Sequence, residues 1–304
     1  MTKFIADIGS NWNADIERGK ELIRQAKYAG CWGVKFQMFK ADRLFVKGTP
    51  DVDFDKLKKS ELSIEQFRIF MLEAKKYDVK IGVTPFDRLS LESIKALPIP
   101  PDFIKISSFD IKRINLIREV RKLNLPIIFS TGLATTKDIE EVIENLLSGG
   151  TKPITINIMH CVSEYPTVSD RASLDSILNL KQLVGSYHNG TSGLSIGYSD
   201  HSASKIVLRQ ALIYGLEYLE FHLDLDCYQF NQGWERSAGH CWIPQDIKEI
   251  IDEIETVKLC RVKRELGPID LLQRADPSDG LRPSLKARTK RQFYKVANEL
   301  DKVL

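Results

Sequence analysis

The sequence predicts an α/β fold, and within that class a closed (β/α)8 TIM barrel with a short C-terminal extension. Three observations predict it. Eight short, mostly apolar runs alternate with helix-like runs, as in a parallel sheet covered by helices. The unit recurs at roughly 25–40 residues, which favours closure over an open sheet. No G-x-G-x-x-G follows the first strand, so the doubly wound sheet, the second reading, lacks its dinucleotide-binding signal.

In chain order, Phe4–Ile8 reads as the first strand and Ile16–Ala29 as its helix. The second strand, Gly33–Gln37, leads into a charged excursion, Met38–Leu62, expected to fold over one rim. Helix Ile64–Tyr77 precedes strand Lys80–Thr84; helix Leu89–Leu97 precedes strand Phe103–Ile106. Helix Leu116–Leu123 stops before Pro126, and Ile127–Ser130 is strand five. Thr135 or Thr136 caps a helix to Leu147 that Gly149 and Gly150 end. Strand six is Ile154–Met159, with a helix near Leu174–Leu183. Ser195–Gly197, a helix from Ser202 to Tyr214 and strand Tyr218–Phe221 close the repeat, and Pro244 starts a last helix toward Arg264. The pattern lapses after Gly267, so residues 1–267 are expected to form the barrel and 268–304 an arm of loop and short helix.

The 43% hydrophobic content of these 304 residues is enough for a large core. A net charge of +3 is too small for a nucleic-acid surface, and no apolar run approaches the roughly 20 residues of a membrane span. The N-terminus enters a strand without the succession of a secretion signal, and five cysteines without close pairing suit reduced thiols, so a cytoplasmic protein is expected.

In such a barrel every strand's C-terminal end feeds one site. Those ends carry Asp7, Lys35 with Gln37, Thr84, and Lys105 with Ser107 and Ser108. Ser130, Ser163 with Tyr165, Ser199 with Asp200, and the histidines His201 and His222 complete the rim. Lysine offers a point charge and hydroxyls offer directional donors, so a small anion is the expected ligand; an unpaired lysine inside a barrel is otherwise costly. The two histidines lie on adjacent rims, within reach of one divalent cation. His160 reads as a hydrogen-bonded core residue and His188 as loop. The adjacent His240 and Cys241 lack a zinc spacing and read as a structural loop.

The segments IADIGSNWN, GVKFQMFKAD, VTPFD, FIKISSFD, PIIFSTGLAT, HCVSEYP, GYSDHS and EFHLDLD occur in order between Ile5 and Asp226. With them the chain resembles the sialic acid (N-acetylneuraminate) synthase family, nonulosonate synthases that condense phosphoenolpyruvate with a sugar. The resemblance implies the barrel, a transferase that joins phosphoenolpyruvate to an open-chain, N-acetylmannosamine-like hexosamine, and release of phosphate through C–O cleavage. A related octulosonate-type reaction on a sugar phosphate and a non-catalytic metabolite-binding barrel are the alternatives.

The resemblance also implies roles. His201 and His222 look like ligands of manganese or magnesium. Lys35, Thr84, Lys105, Ser108, Ser130, Ser163 and Ser199 resemble phosphoenolpyruvate contacts. Gln37, Asp110, Tyr165 and Asp200 fall where the sugar or metal is expected, and Glu235 stands in for an aspartate. Asp7 replaces a glutamate that positions water, one methylene or about 1.5 Å shorter. NWNA replaces NHNG, so Trp12 is expected to alter that lip. The family's C-terminal antifreeze-like domain has no counterpart in this sequence. That leaves the sugar open and makes Asp276–Arg288, with Arg282 and Arg288, a candidate lid over the same or a partner subunit's site. A homodimer is left open.

Overall fold

In the computed structural model, residues 2–50, 52–149, 154–187, 193–226 and 229–260 are described. Two compact units divide the chain, Met1–Asp252 and Glu253–Leu304. The described part of the second is the end of a helix, so the expected boundary at residue 267 and the candidate lid lie outside the described residues.

The first unit is the barrel. Its strands are β1 (Lys3–Gly9), β2 (Gly33–Met38), β3 (Lys80–Pro85), β4 (Phe103–Ile106), β5 (Ile127–Ser130), β6 (Ile156–His160), β7 (Leu194–Asp200) and β8 (Tyr218–Leu223). All pair in parallel with their sequence neighbours, and β1 closes on β8 with Asp7 opposite His222. Strand β7 runs three residues beyond its expected end, and β8 extends through His222, so that histidine is a strand residue. An unexpected ninth strand, β9 (Cys241–Trp242), pairs with β8 in the register His222 to Cys241.

Ten helices are described: α1 (Ile16–Tyr28), α2 (Ala41–Leu44), α3 (Phe54–Lys59), α4 (Ile64–Lys76), α5 (Arg88–Lys95), α6 (Ile114–Arg121), α7 (Thr136–Ser148), α8 (Ser176–Ser186), α9 (Lys205–Ile213) and α10 (Pro244–Cys260). Local chemistry sets their starts. The Asp15 carboxylate accepts from the amides of Glu17 and Arg18, and Ser63 with Gln66 and Thr135 with Asp138 form capping boxes. Helix α1 then buries Leu22, Ile23 and Ala26, the leucine and isoleucine contributing about 1.5–3 kcal/mol each. The excursion supplies α2 and α3, and its Arg43, Leu44 and Phe45 do reach over one rim.

Period-two alternation divides the barrel interior in depth. Ile5, Phe103, Ile128 and Met159 form an apolar floor, with Trp32 and Tyr218 packed against it. Gly82 makes room for it, because a Cβ there would lie 2.2 Å from the Phe103 ring. Trp12 takes no part in the lip. Fully buried, it meets Phe70 of α4 edge-on at 5.8 Å, while among the described residues its Nε1 has no hydrogen-bond partner. No described helix is long and apolar enough to cross a membrane.

Candidate active site

Above the apolar floor lies a cavity of about 480 Å³ at the C-terminal mouth. Its deepest layer is ionic. Lys35 Nζ lies 2.6 Å from Asp7 Oδ2 and 3.9 Å from Glu220 Oε2, while Lys105 Nζ lies 2.6 Å from Glu220 Oε1. All four side chains are buried. The lysines are therefore not the unpaired cations that the sequence suggested: Asp7 and Glu220 balance them. Such pairs persist because breaking one strands a charge in a medium that cannot solvate it.

Burial alone would raise the Asp7 pKa, but the Lys35 ammonium and His222, with hydrogen bonds from Lys35 and Gln37, hold it at about 2. Burial opposes the charge on Lys35, yet Asp7 and Glu220 raise its pKa. Burial lowers that of Lys105, and Glu220 offsets only part of the effect. Hydroxyls ring the ion pairs. Thr84 accepts from Lys35 at 3.3 Å, Ser199 donates to Glu220 at 3.1 Å, and the Ser108 and Ser163 oxygens are 2.9 Å apart. Ser163 does not itself line the cavity but supports Ser108 from behind. Among the described residues, buried Ser130 Oγ finds no hydrogen-bond partner apart from the Cys161 thiol beside it.

Imidazoles form the opposite wall. His201 Nδ1 lies 2.6 Å from the Val162 carbonyl, which can only accept; the proton is therefore on Nδ1 and the Nε2 lone pair is left for a ligand. Burial, then neighbouring His222, push the His201 pKa down to about 3, so its ring is neutral. His222 Nδ1 is 2.7 Å from Glu235 Oε2 and its Nε2 is 3.6 Å from Asp7 Oδ2. Burial opposes protonation of His222, but Asp7 and Glu235 outweigh it and raise the pKa. Tyr165 lies against His201 with ring centroids 4.2 Å apart and meets His222 edge-on at 6.1 Å. His240, read from the sequence as loop, comes within 4.6 Å of the His222 ring, and donor atoms of His222, Glu235 and His240 lie within 4.8 Å of one another. His201 and His240, whose pKa values are lowered mainly by burial, offer neutral imidazole nitrogens beside His222 and the Glu235 carboxylate, so the residues present fit a divalent cation.

A clasp from the β1–α1 loop places Glu235. Ser10 donates to it through its hydroxyl at 2.9 Å, and Asn11 Oδ1 accepts from the Glu235 amide at 2.8 Å. Asn13 bonds Gln232 and Trp234, and buried Arg18 pairs with buried Asp224, which also accepts from the Gly233 amide at 3.0 Å. Gly233 is required there: a Cβ would sit 2.4 Å from Asn11 Oδ1.

Two expected contacts are placed differently. Asp200 does not line the cavity. Its carboxylate is taken up by Trp242 Nε1 at 2.9 Å, Ser202 at 2.6 Å, the Ala203 amide and the Tyr198 hydroxyl. Strand alternation explains this, because Ser199 faces the interior and its neighbour must face outward. Asp110 lines the outer cavity but bonds Arg113 at 2.7 Å, and burial raises its pKa against that pairing. Sequence reasoning missed Glu220, although its spacing of two from His222 along one strand puts both on one face. For His240 there was no comparable signal. His160 is a core residue, bonded to the Ala172 carbonyl at 2.9 Å. Among the described cysteines, Cys31, Cys161 and Cys241 are free.

Fold and mouth together define a TIM barrel whose C-terminal cavity sets two buried lysine–carboxylate pairs beside a cluster of imidazoles that could hold a metal. The sequence matches the NeuB family over residues 22–264. The chain belongs to the NeuB family, and with it to the sialic acid synthase-like transferases. It is similar to N-acetylneuraminate-9-phosphate synthase of Drosophila melanogaster, 29% identical over 93% of this chain and 74% of the relative. N,N'-diacetyllegionaminic acid synthase of Campylobacter jejuni is also 29% identical, over 84% of this chain and 76% of its own length. Among solved structures, N-acetylneuraminic acid synthetase from Leptospira borgpetersenii, in complex with citrate, superposes with a TM-score of 0.74. It is 26% identical and aligns over 88% of this chain and 87% of its own.

Proposed function

We propose that this protein condenses phosphoenolpyruvate with an open-chain hexosamine-type sugar, N-acetylmannosamine-like, to give a 2-keto-3-deoxy sugar acid and phosphate. The carrying observation is the pairing, in one cavity, of Lys35 and Lys105 with the imidazoles of His201 and His222. Phosphoenolpyruvate is a trianion with two anionic ends, and two buried ammonium groups ringed by hydroxyls are suited to hold it. Lys105 and Lys35 would exchange part of their hold on Glu220 and Asp7 for the ligand's oxygens, with Thr84, Ser108, Ser130 and Ser199 fixing its orientation.

His201 and His222 would hold the metal, manganese or magnesium, and a bound cation there supplies Lewis acidity to an aldehyde oxygen. In the reaction C3 of phosphoenolpyruvate bonds to the aldehyde carbon, water adds at C2, and the C2–O bond to phosphate breaks. Asp7 accepts hydrogen bonds from Lys35 at 2.6 Å and Gln37 at 3.1 Å, and with a pKa of about 2 it is suited to orient that water as an acceptor rather than to remove its proton. Tyr165 and Glu235 hold the imidazole rings, and the mouth beyond them is left for the sugar. The test supplies phosphoenolpyruvate labelled with 18O at the bridging oxygen, together with a panel of N-acylated hexosamines. Label recovered in phosphate, dependent on both substrates, supports the reading; phosphate release without any sugar, or label retained in the organic product, defeats it.

A further inference from the structure

The ninth strand has no part in closing the barrel, which β1 and β8 complete. It nonetheless sits at the mouth, and it is tethered three times. Its backbone pairs with β8 at His222 and Leu223, Trp242 Nε1 donates to Asp200 at 2.9 Å, and Asn11 Nδ2 lies 3.4 Å from Cys241 Sγ. The residue immediately before it is His240. Gly239, in the left-handed region at φ 79°, turns the chain from the short Arg236–Ala238 helix into the strand, a conformation that other residues seldom adopt. The strand therefore delivers one imidazole beside His222.

Two buried histidines outside the His201/His222 pair allow a direct comparison. His160 is 7% exposed, bonds the Ala172 carbonyl at 2.9 Å and stacks on Tyr198 at 5.9 Å. Every feature is that of a satisfied core residue. His240 is 4% exposed and lines the cavity, and among the described residues its Nδ1 has only the backbone of Ala238 beside it, at poor hydrogen-bond geometry. A backbone carbonyl can only accept, so a proton facing Ala238 sits on the ring and leaves the ring's other nitrogen with a lone pair that a ligand in the cavity can take. Around His240 are His222 at 4.6 Å and Tyr165 at 5.0 Å between ring centroids, with Glu235 completing a donor set whose atoms lie within 4.8 Å of one another. His222 stands between the other two imidazoles, its ring centroid 5.6 Å from that of His201 and 4.6 Å from that of His240, while ligand nitrogens around one first-row ion sit at about 2.0–2.1 Å from it.

We propose that His240 is a third imidazole ligand of the mouth's divalent cation, acting with His201 and His222, while Glu235 holds His222 through Nδ1. The consequence is selectivity. Nitrogen-rich sites favour cobalt, nickel or zinc over magnesium, which prefers oxygen donors and water. A third imidazole therefore biases this chain toward later first-row metals.

The inference rests on the reading of the mouth as a cation site, and the experiment separates the two. Metal-free full-length protein is titrated calorimetrically with cobalt(II) and with magnesium, alongside His240→Ala and His240→Phe variants whose folding is checked by circular dichroism. Both variants are expected to lose tenfold or more in cobalt affinity and to change little toward magnesium. Wild-type cobalt affinity in either folded variant overturns the third ligand alone; a wild-type protein that binds neither metal overturns the cation site with it. Should both variants misfold, the wild-type protein decides. With 15N-labelled histidine and zinc as a diamagnetic probe, the ring nitrogens of three imidazoles should shift to metal-bound values while those of His160 stay. A His240 resonance that does not move on zinc addition defeats the proposal.

Discussion

Lys105 and Glu220 lie 2.6 Å apart with side chains 3% and 5% exposed, so losing Lys105 leaves buried Glu220 with only the more distant Lys35, at 3.9 Å, and the Ser199 hydroxyl among the described residues. Lys105→Met should destabilise the protein by about 3–5 kcal/mol, and the double variant Lys105→Met/Glu220→Gln should recover most of that loss. Urea denaturation of both checks it; equal losses would mean that the two charges are not coupled. Lys35 and Asp7 add a pH dependence. Because the folded Asp7 pKa, about 2, lies below its ordinary 3.8, its contribution to stability is full above the unfolded value and is lost as pH falls through the folded one. Without Lys35, burial dominates and the Asp7 carboxylate becomes a liability at neutral pH. The stability gap between Lys35→Met and wild type should thus narrow as pH is lowered from 7 toward 3, measured by denaturation at each pH. A gap that widens would exclude Asp7 as the partner that matters.

The β1–α1 loop and the β8–β9 connection act as one element through Arg18, Asn11 and Asp224. Arg18→Met would leave Asp224, fully buried, with only the Gly233 amide and a 3.6 Å contact to Arg236 among the described residues, so a cost near 3 kcal/mol is expected by chemical denaturation. Within the same loop, Asn13 and Ala14 both hold positive φ, 54° and 56°. Asparagine tolerates this and alanine does not, so Ala14→Gly should raise stability by about 0.5–1 kcal/mol, read as a higher urea midpoint. A lower midpoint would mean that the methyl group packs usefully. The strands themselves were legible in the sequence because apolar runs bounded by polar ends are local. The ninth was not, since two residues carry no periodicity and β9 exists only because β8 offers it an edge.

For the molecule as a whole, a ligand that binds only the folded state stabilises it by mass action, about 2.7 kcal/mol at a hundredfold excess over Kd. Saturating manganese or cobalt(II) should therefore raise the thermal midpoint by several degrees, and His201→Ala/His222→Ala should abolish the rise. Calorimetric scans with and without chelator decide it; an undiminished rise in the double variant would place the cation elsewhere. Barrel closure is what makes this a property of the whole molecule, since His201 follows β7, His222 lies on β8, and Asp7 meets His222 only where the first and last strands join.

The sequence by itself determined the α/β class, the eightfold repeat, the Thr135 cap of one helix and the strand-end residues that a barrel must gather, because each follows from local periodicity and side-chain chemistry. It placed Lys35, Lys105, His201 and His222 at one mouth for the same reason. Only the tertiary structure decided which charges meet. It paired the lysines with Asp7 and Glu220, turned Asp200 outward onto Trp242, sank Trp12 against Phe70, and carried His240 to His222 on an unforeseen strand. Those outcomes depend on contacts between residues far apart in the chain, such as Lys105 with Glu220 and Asn11 with Glu235, and their geometry is fixed only when the last strand closes on the first.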